Sequence, residues 1–233
     1  MLGGTSEFAV SVDSPLAEVF SALLAFLIGG IPFGWVYARL VKGIDLRTVG
    51  SGNVGATNAA RLYTGRKAVL CFLGIFLLDC FKGFAAAWFS PELGIWLGGQ
   101  GTENTMMVVC GSSAILGHVF TPYLSFRGGK GVATALGVVT ALATWPAIYA
   151  VGAWGLLVLV TRYVSLGSII AMTSIPFTYW LRYKSDTFHA RIGIFLFLTA
   201  CAAMVVWRHR DNIRRLLEGR ERKIGARTPP PAA

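Results

Sequence analysis

Charged residues are scarce in this sequence, 14% of 233 positions, where a soluble domain carries about a quarter. That scarcity, with hydrophobic residues at 55%, excludes a domain surrounded by water on all sides. Paired cysteines are also missing. Cys71, Cys80, Cys110 and Cys201 stand singly in apolar surroundings, without the spacing of a zinc or redox centre, and read as packing residues. Lys and Arg outnumber Asp and Glu by 21 to 11, but they do not gather in one patch interleaved with aromatics, so nucleic acid is not an expected partner. Neither a metal nor a cofactor is expected. Inverted repeats of the transporter kind are not evident.

What the chain does have is apolar length. Stretches run over about 16–41, 67–89, 104–125, 131–144, 147–161, 163–181 and 188–207, most of them near the roughly 20 residues that cross a bilayer. Backbone in hydrocarbon must satisfy its own hydrogen bonds, so these predict helices. The reading is an all-α polytopic membrane protein with seven transmembrane helices, divided in its middle at Trp145-Pro146, where 131–161 is either two spans or one broken element. Lys and Arg mark the cytoplasmic side of short loops. Lys42, Arg47, Arg61, Arg66 and Lys67 follow the first span, Arg127 and Lys130 the third, Arg162 the fifth, and a basic run beginning at Arg208 the last. All fall on one side if the amino terminus is outside and the carboxyl terminus cytoplasmic. Residues 1–15, which carry Glu7 and Asp13 but no Lys or Arg, read as a short exported tail and not a removable signal. Residues 16–207 make the membrane domain, 208–227 a basic cytoplasmic segment, and 228–233, rich in proline, a disordered tail.

Three clusters could carry chemistry. The first is the loop Gly50-Ser51-Gly52-Asn53-Val54-Gly55-Ala56-Thr57-Asn58, flanked by Arg47 and Arg61. Its glycines let backbone N–H groups turn inward as a nest, its short polar side chains add donors, and a helix starting near Ala56 would aim its positive end at the same place. A plain solvated turn is the alternative; the length of the run and its arginines favour phosphate. The second cluster joins Gly117-His118 to Phe126-Arg127-Gly128-Gly129-Lys130-Gly131 just before an apolar helix, again suited to an anion, although the spacing is not that of a nucleotide P-loop. Lys130 could otherwise be a membrane anchor and His118 a core histidine. The third combines Arg162 to Ser168 with the terminal run, in which His209 and Asn212 share a helical face and could close over a site. Within the second span, Asp79 and Lys82 stand at i and i+3, where mutual pairing is the cheapest resolution of buried charge.

Taken together, Gly50 to Asn58, Leu78-Asp79 with Lys82-Gly83, Gly117-His118 with Phe126 to Gly131, and Arg208-His209 with Asn212-Ile213 resemble the bacterial acyl-phosphate:glycerol-3-phosphate acyltransferases, the PlsY type. The similarity runs from about Phe26 to Lys223; Arg127 stands where the family commonly has lysine. The resemblance implies a seven-helix bundle in the bacterial inner membrane, a site open to the cytoplasm, and transfer of an acyl group from acyl phosphate to glycerol-3-phosphate, giving lysophosphatidic acid and phosphate. It implies a monomer dependent on an acyl-phosphate-producing enzyme. It places the glycerol-3-phosphate group among Ser51, Arg61 and Lys130, with Asn53, His209, Asn212 and Glu221 lining the pocket and Arg47, Thr57, Asn58, Lys82 and Arg127 among the binding residues. The amides of Gly50, Gly52, Gly55, Gly128, Gly129 and Gly131 would meet the donor. His118 and Asp79 are candidates for general base, with the departing phosphate as the alternative acceptor of the hydroxyl proton.

Two other readings are weaker. An acyltransferase with a His-x-x-x-x-Asp dyad is excluded, because His118, His189 and His209 are followed at that spacing by Tyr123, Ile194 and Arg214. A transporter for a phosphorylated solute would need functional polar residues deep in several spans and an opening on both faces, and apart from Asp79 and Lys82 the spans lack obvious charged pathways.

Overall fold

The computed structural model describes residues 15–97 and 102–224, which form α-helices joined by short loops and 3-10 turns. The acidic start and the proline-rich end lie outside the described residues. Pro32 sets the first feature: it has no N–H and disfavours helical backbone at Ile31. The first apolar stretch, a single span by length from Pro15 to Lys42, therefore breaks into α1 (Pro15–Gly30) and α2 (Phe33–Lys42). A break inside hydrocarbon leaves carbonyls without partners, and neighbouring side chains supply the donors. Tyr123 Oη donates to the Leu27 carbonyl (3.3 Å), Thr121 Oγ1 to Gly30 (2.6 Å) and Lys82 Nζ to Ile31 (2.7 Å).

The chain continues through α3 (Ala56–Ala60), α4 (Gly65–Trp88), α5 (Ser90–Trp96), α6 (Glu103–Val119), α7 (Val132–Leu142), α8 (Thr144–Thr161), α9 (Val164–Tyr183), α10 (Ile192–Arg208) and α11 (Arg210–Leu217). Five stretches, Pro15–Lys42, Gly65–Trp88, Glu103–Leu124, Thr144–Thr161 and Val164–Phe188, are long and apolar enough to cross a bilayer; α10 with α11, bent by 57°, makes a sixth. Seven full-length spans are not what these lengths give. The shortfall is chiefly α7, whose 11 residues rise only about 16 Å. The division read at Trp145-Pro146 falls instead at Ala143, and Pro146 sits in the first turn of α8, where its missing N–H breaks no intrahelical bond.

Small residues bring the helices together, as packing in lipid requires. A Cβ on Gly29 would meet the Ala114 carbonyl at 2.1 Å and one on Gly117 the Phe26 carbonyl at 2.0 Å, so α1 and α6 touch backbone to backbone. Gly83 and Gly137 bring α4 and α7 equally close, at 2.1 and 1.9 Å from the carbonyls of Thr134 and Cys80. The buried centre lies among α7, α9 and α10, around Val138, Val139, Met172, Ile175, Leu198 and Val205, while Leu70, Leu159 and Val160 face outward.

Candidate functional site

The loop between α2 and α3 is built around Asn58, the third residue of a short helix that begins at Ala56. Its Nδ2 lies within hydrogen-bonding distance of the carbonyls of Leu46 (3.1 Å), Val49 (3.0 Å) and Asn53 (2.9 Å), and its Oδ1 accepts the Ser51 amide (3.0 Å). Gly50 stands at φ 62° and a Cβ there would meet Asn58 Oδ1 at 2.2 Å, so this turn requires glycine on both counts. Asn53 Oδ1 accepts the Gly55 amide at 2.9 Å. Asn58, expected as a substrate contact, thus spends its polar atoms on the loop that presents Ser51.

The loop before α7 folds back on to the end of α6, where the Gly128 amide donates to the Val119 carbonyl and the Gly129 amide to His118, both at 3.0 Å. Arg208 clamps it from α10, donating to the Gly129 carbonyl at 2.9 Å. Lys130 emerges from this support and donates to Asn212 Oδ1 on α11. Asn212 Nδ2 in turn donates to Glu221 (2.6 Å), whose carboxylate also receives Ser165 Oγ (2.8 Å) and Arg215 Nε (2.7 Å). Burial raises the Glu221 pKa, but these three donors outweigh it and hold the carboxyl below its usual range. His209 Nδ1 donates to the Val205 carbonyl at 2.8 Å, leaving Nε2 as its free ring nitrogen.

These groups share one cavity of about 1120 Å³, lined by residues from the loops after α2, α6, α8 and α10. One wall is apolar: Trp154 of α8 stacks at 5.8 and 6.3 Å on Phe72 and Phe76 of α4. One helical turn beyond Phe76, on the same face of α4, Asp79 closes the cavity with His118, whose Nδ1 is 3.6 Å from Asp79 Oδ1. The space thus joins a cationic, hydrogen-bonding end to a greasy one, a shape for an amphiphile with a phosphate.

Of the residues read from the sequence, Gly50, Ser51, Asn53, Gly55, Thr57, Asn58, Arg61, Asp79, His118, Lys130, Gly131, His209, Asn212 and Glu221 line this cavity. Six do not. Arg47 is paired with Asp45 at 2.6 Å; its guanidinium, outweighing burial, holds that carboxyl well below the carboxylate range. Lys82 is turned away to Asp79 (2.7 Å) and the α1–α2 break. Arg127 and Gly52 are exposed, and the amides of Gly128 and Gly129 are already bonded. Ser165, Ser168 and Arg215 line the cavity without having been singled out as site residues. Arg215 follows Asn212 by three positions, a same-face spacing that could have found it.

Burial pushes Lys130 down to about 8, with Arg215, Arg61 and Arg208 adding to the depression and Glu221 opposing it. The free protein therefore loses this cation as pH rises through about 8. A bound dianion restores it, so KM for a phosphate substrate is expected to climb by up to tenfold per pH unit above that point, with kcat little changed. Lys130→Arg, whose charge persists past pH 12, should lack this limb in initial-rate profiles. An identical alkaline limb in both proteins would assign it to another group.

Residues 19–219 match the family described as Glycerol-3-phosphate acyltransferase. Proteins of that name from Endomicrobium trichonymphae and Aquifex aeolicus are 37% and 39% identical over 210 residues, 90% of this chain and 96% and 100% of theirs. Two solved structures of PlsY (YgiH), an integral membrane glycerol 3-phosphate acyltransferase, are similar in fold. The glycerol 3-phosphate form has a TM-score of 0.75 at 38% identity, the lysophosphatidic acid form 0.73 at 36%, each matched over 90% of this chain and 96% of its own.

Proposed function

For this chain, which belongs to the PlsY-type glycerol-3-phosphate acyltransferase family, we propose that the acyl donor is an acyl phosphate and the products are 1-acyl-glycerol-3-phosphate and phosphate. The observation that carries this reading is the meeting of Ser51, Arg61 and Lys130 in one cavity with the Phe72, Phe76 and Trp154 wall. An acyl phosphate is already activated, so the protein has to hold two phosphate-bearing reactants together and stabilise the developing oxyanion. Glycerol-3-phosphate is bound by Ser51, Arg61 and Lys130, and the acyl chain lies along the aromatic wall. The free hydroxyl attacks the acyl carbonyl carbon, the bond from that carbon to the phosphate oxygen breaks, and the hydroxyl proton passes to the departing phosphate. His118 and Asp79, 3.6 Å apart where the cavity closes, are the alternative acceptors. Asn53, His209, Asn212 and Glu221 keep the cationic end in shape.

The same cavity supports a reading of the membrane arrangement. Four loops reach one end of the bundle, so the chain between each consecutive pair must go and return. That favours seven crossings, with α7 and α10 as short ones, the amino terminus outside, and the cavity with its arginines facing the cytoplasm of the inner membrane. One chain supplies every wall, consistent with a monomer served by an enzyme that makes acyl phosphate.

The direct test offers purified protein glycerol-3-phosphate with either palmitoyl phosphate or palmitoyl-CoA. Lysophosphatidic acid and free phosphate are expected from the first donor alone; turnover with only the thioester would give the chain a different donor.

A further inference from the structure

A second cavity, about 360 Å³, opens between α2 and α4. Along α4 it is lined by Lys67, Cys71, Gly74 and Leu78, spaced four, three and four residues apart, which is one stripe of a helix. From Lys67 to Leu78 the stripe descends about 16 Å, the depth of roughly one leaflet of a ~30 Å hydrocarbon core. Its polarity is graded. At the loop end stand Lys67 and Tyr63, the Tyr63 hydroxyl 3.1 Å from that of Tyr37 and the Lys42 ammonium 4.8 Å from its ring centre. At the deep end are Phe33 and Leu78. Gly74 lies between the two ends, and a Cβ built on it meets nothing within 4 Å.

We propose that this slot binds an anionic bilayer phospholipid, with one acyl chain lying over Gly74 and the headgroup phosphate between Lys42 and Lys67. Charge and length both point to that occupant. Lys42 and Lys67 stand at the end where a cytoplasmic-leaflet headgroup would lie, whereas Lys82, 5.4 Å from the Phe33 ring centre at the deep end, is already paired with Asp79, and the apolar part ends where a leaflet ends. Tyr63 and Lys67 also line the catalytic cavity, so the two spaces share a wall and the lipid sits beside the mouth through which reactants pass. The site is separate from the acyl-transfer reading, since neither Gly74 nor Lys42 has a part in it.

The test is native mass spectrometry of the full-length protein released from nanodiscs of phosphatidylcholine containing phosphatidylglycerol. Wild-type protein is expected to retain phosphatidylglycerol in preference to phosphatidylcholine. At about fivefold for each lysine near a headgroup, the K42Q/K67Q variant should lose roughly 30-fold in that preference. Gly74→Phe sends a ring into the slot from a position where a Cβ meets nothing within 4 Å and should cut retention about tenfold, as expected for two displaced methylenes, while glycerol-3-phosphate turnover shows it folded. Saturating glycerol-3-phosphate should leave the lipid in place. Equal retention of the two lipids, wild-type retention by Gly74→Phe, or displacement by glycerol-3-phosphate would each overturn the site.

Discussion

Lys130→Ala is expected to lower kcat/KM for glycerol-3-phosphate by roughly a hundredfold or more, on the scale of the about 2–5 kcal/mol lost when one partner of a buried charge pair is truncated. The fold should survive. Lys130 hangs from Asn212, but Asn212 still donates to Glu221, and Glu221 still holds Ser165 and Arg215. Ser51→Ala, which removes a neutral hydroxyl, should cost only about 1 kcal/mol, or some fivefold. Initial rates on size-exclusion-purified protein give the ranking. A Lys130→Ala loss no larger than that of Ser51→Ala would move the phosphate away from the lysine.

Lys82→Met is expected to destabilise the protein by about 3–5 kcal/mol, the range for removing one member of a buried ion pair. Two deficits arise together: Asp79 loses the ammonium 2.7 Å away, and the Ile31 carbonyl at the Pro32 break loses the lysine and keeps only the Phe33 amide at 3.1 Å. The two are separable. In an Asp79→Asn background the buried Lys82 ammonium is itself without its counter-ion, so adding Lys82→Met relieves that charge, and a net loss there reports the missing donor to Ile31. Unfolding midpoints in detergent measure both steps. A Lys82→Met midpoint equal to wild type would show that the pair holds nothing together, and a higher midpoint on adding Lys82→Met to Asp79→Asn would reduce the lysine to a counter-ion. Because α2 leads directly into the loop of Ser51, the carbonyl deficit should also raise KM for glycerol-3-phosphate, which a loss of folded protein alone would not do.

Local spacing made much of this site legible. The glycine-rich loop, the helix start at Ala56 and the pairing of Asp79 with Lys82 are separations of a few residues that the structure keeps; His209 and Asn212 both line the cavity, but His209 sits at the bend between α10 and α11 and not on one helical face with Asn212. Distant partners were not legible. That Lys82 reaches the Ile31 carbonyl, 51 positions earlier, depends on the helix breaking at Pro32, and a hydrophobic run from 16 to 41 hides the break because the flanking residues are apolar on both sides. Gly128 and Gly129 looked like free amides because their acceptors, the carbonyls of Val119 and His118, become available only where α6 ends. Seven helical stretches could be read from hydrophobicity, but the 11-residue length of α7 could not, since apolar residues continue on both sides of Ala143.

The backbone contact of α4 with α7 at Gly83 and Gly137 bears on how the cavity accommodates its reactants. Phe72 and Phe76 ride on α4 and Lys130 sits at the head of α7, so the greasy wall and the principal cation belong to one stiff unit. Entry and departure of reactants then have to be accommodated by the parts attached to that unit less intimately: the Asn58-centred loop on one side and, on the other, the segment after α11, tied down by Glu221 and by the Ile224 amide on the Arg162 carbonyl.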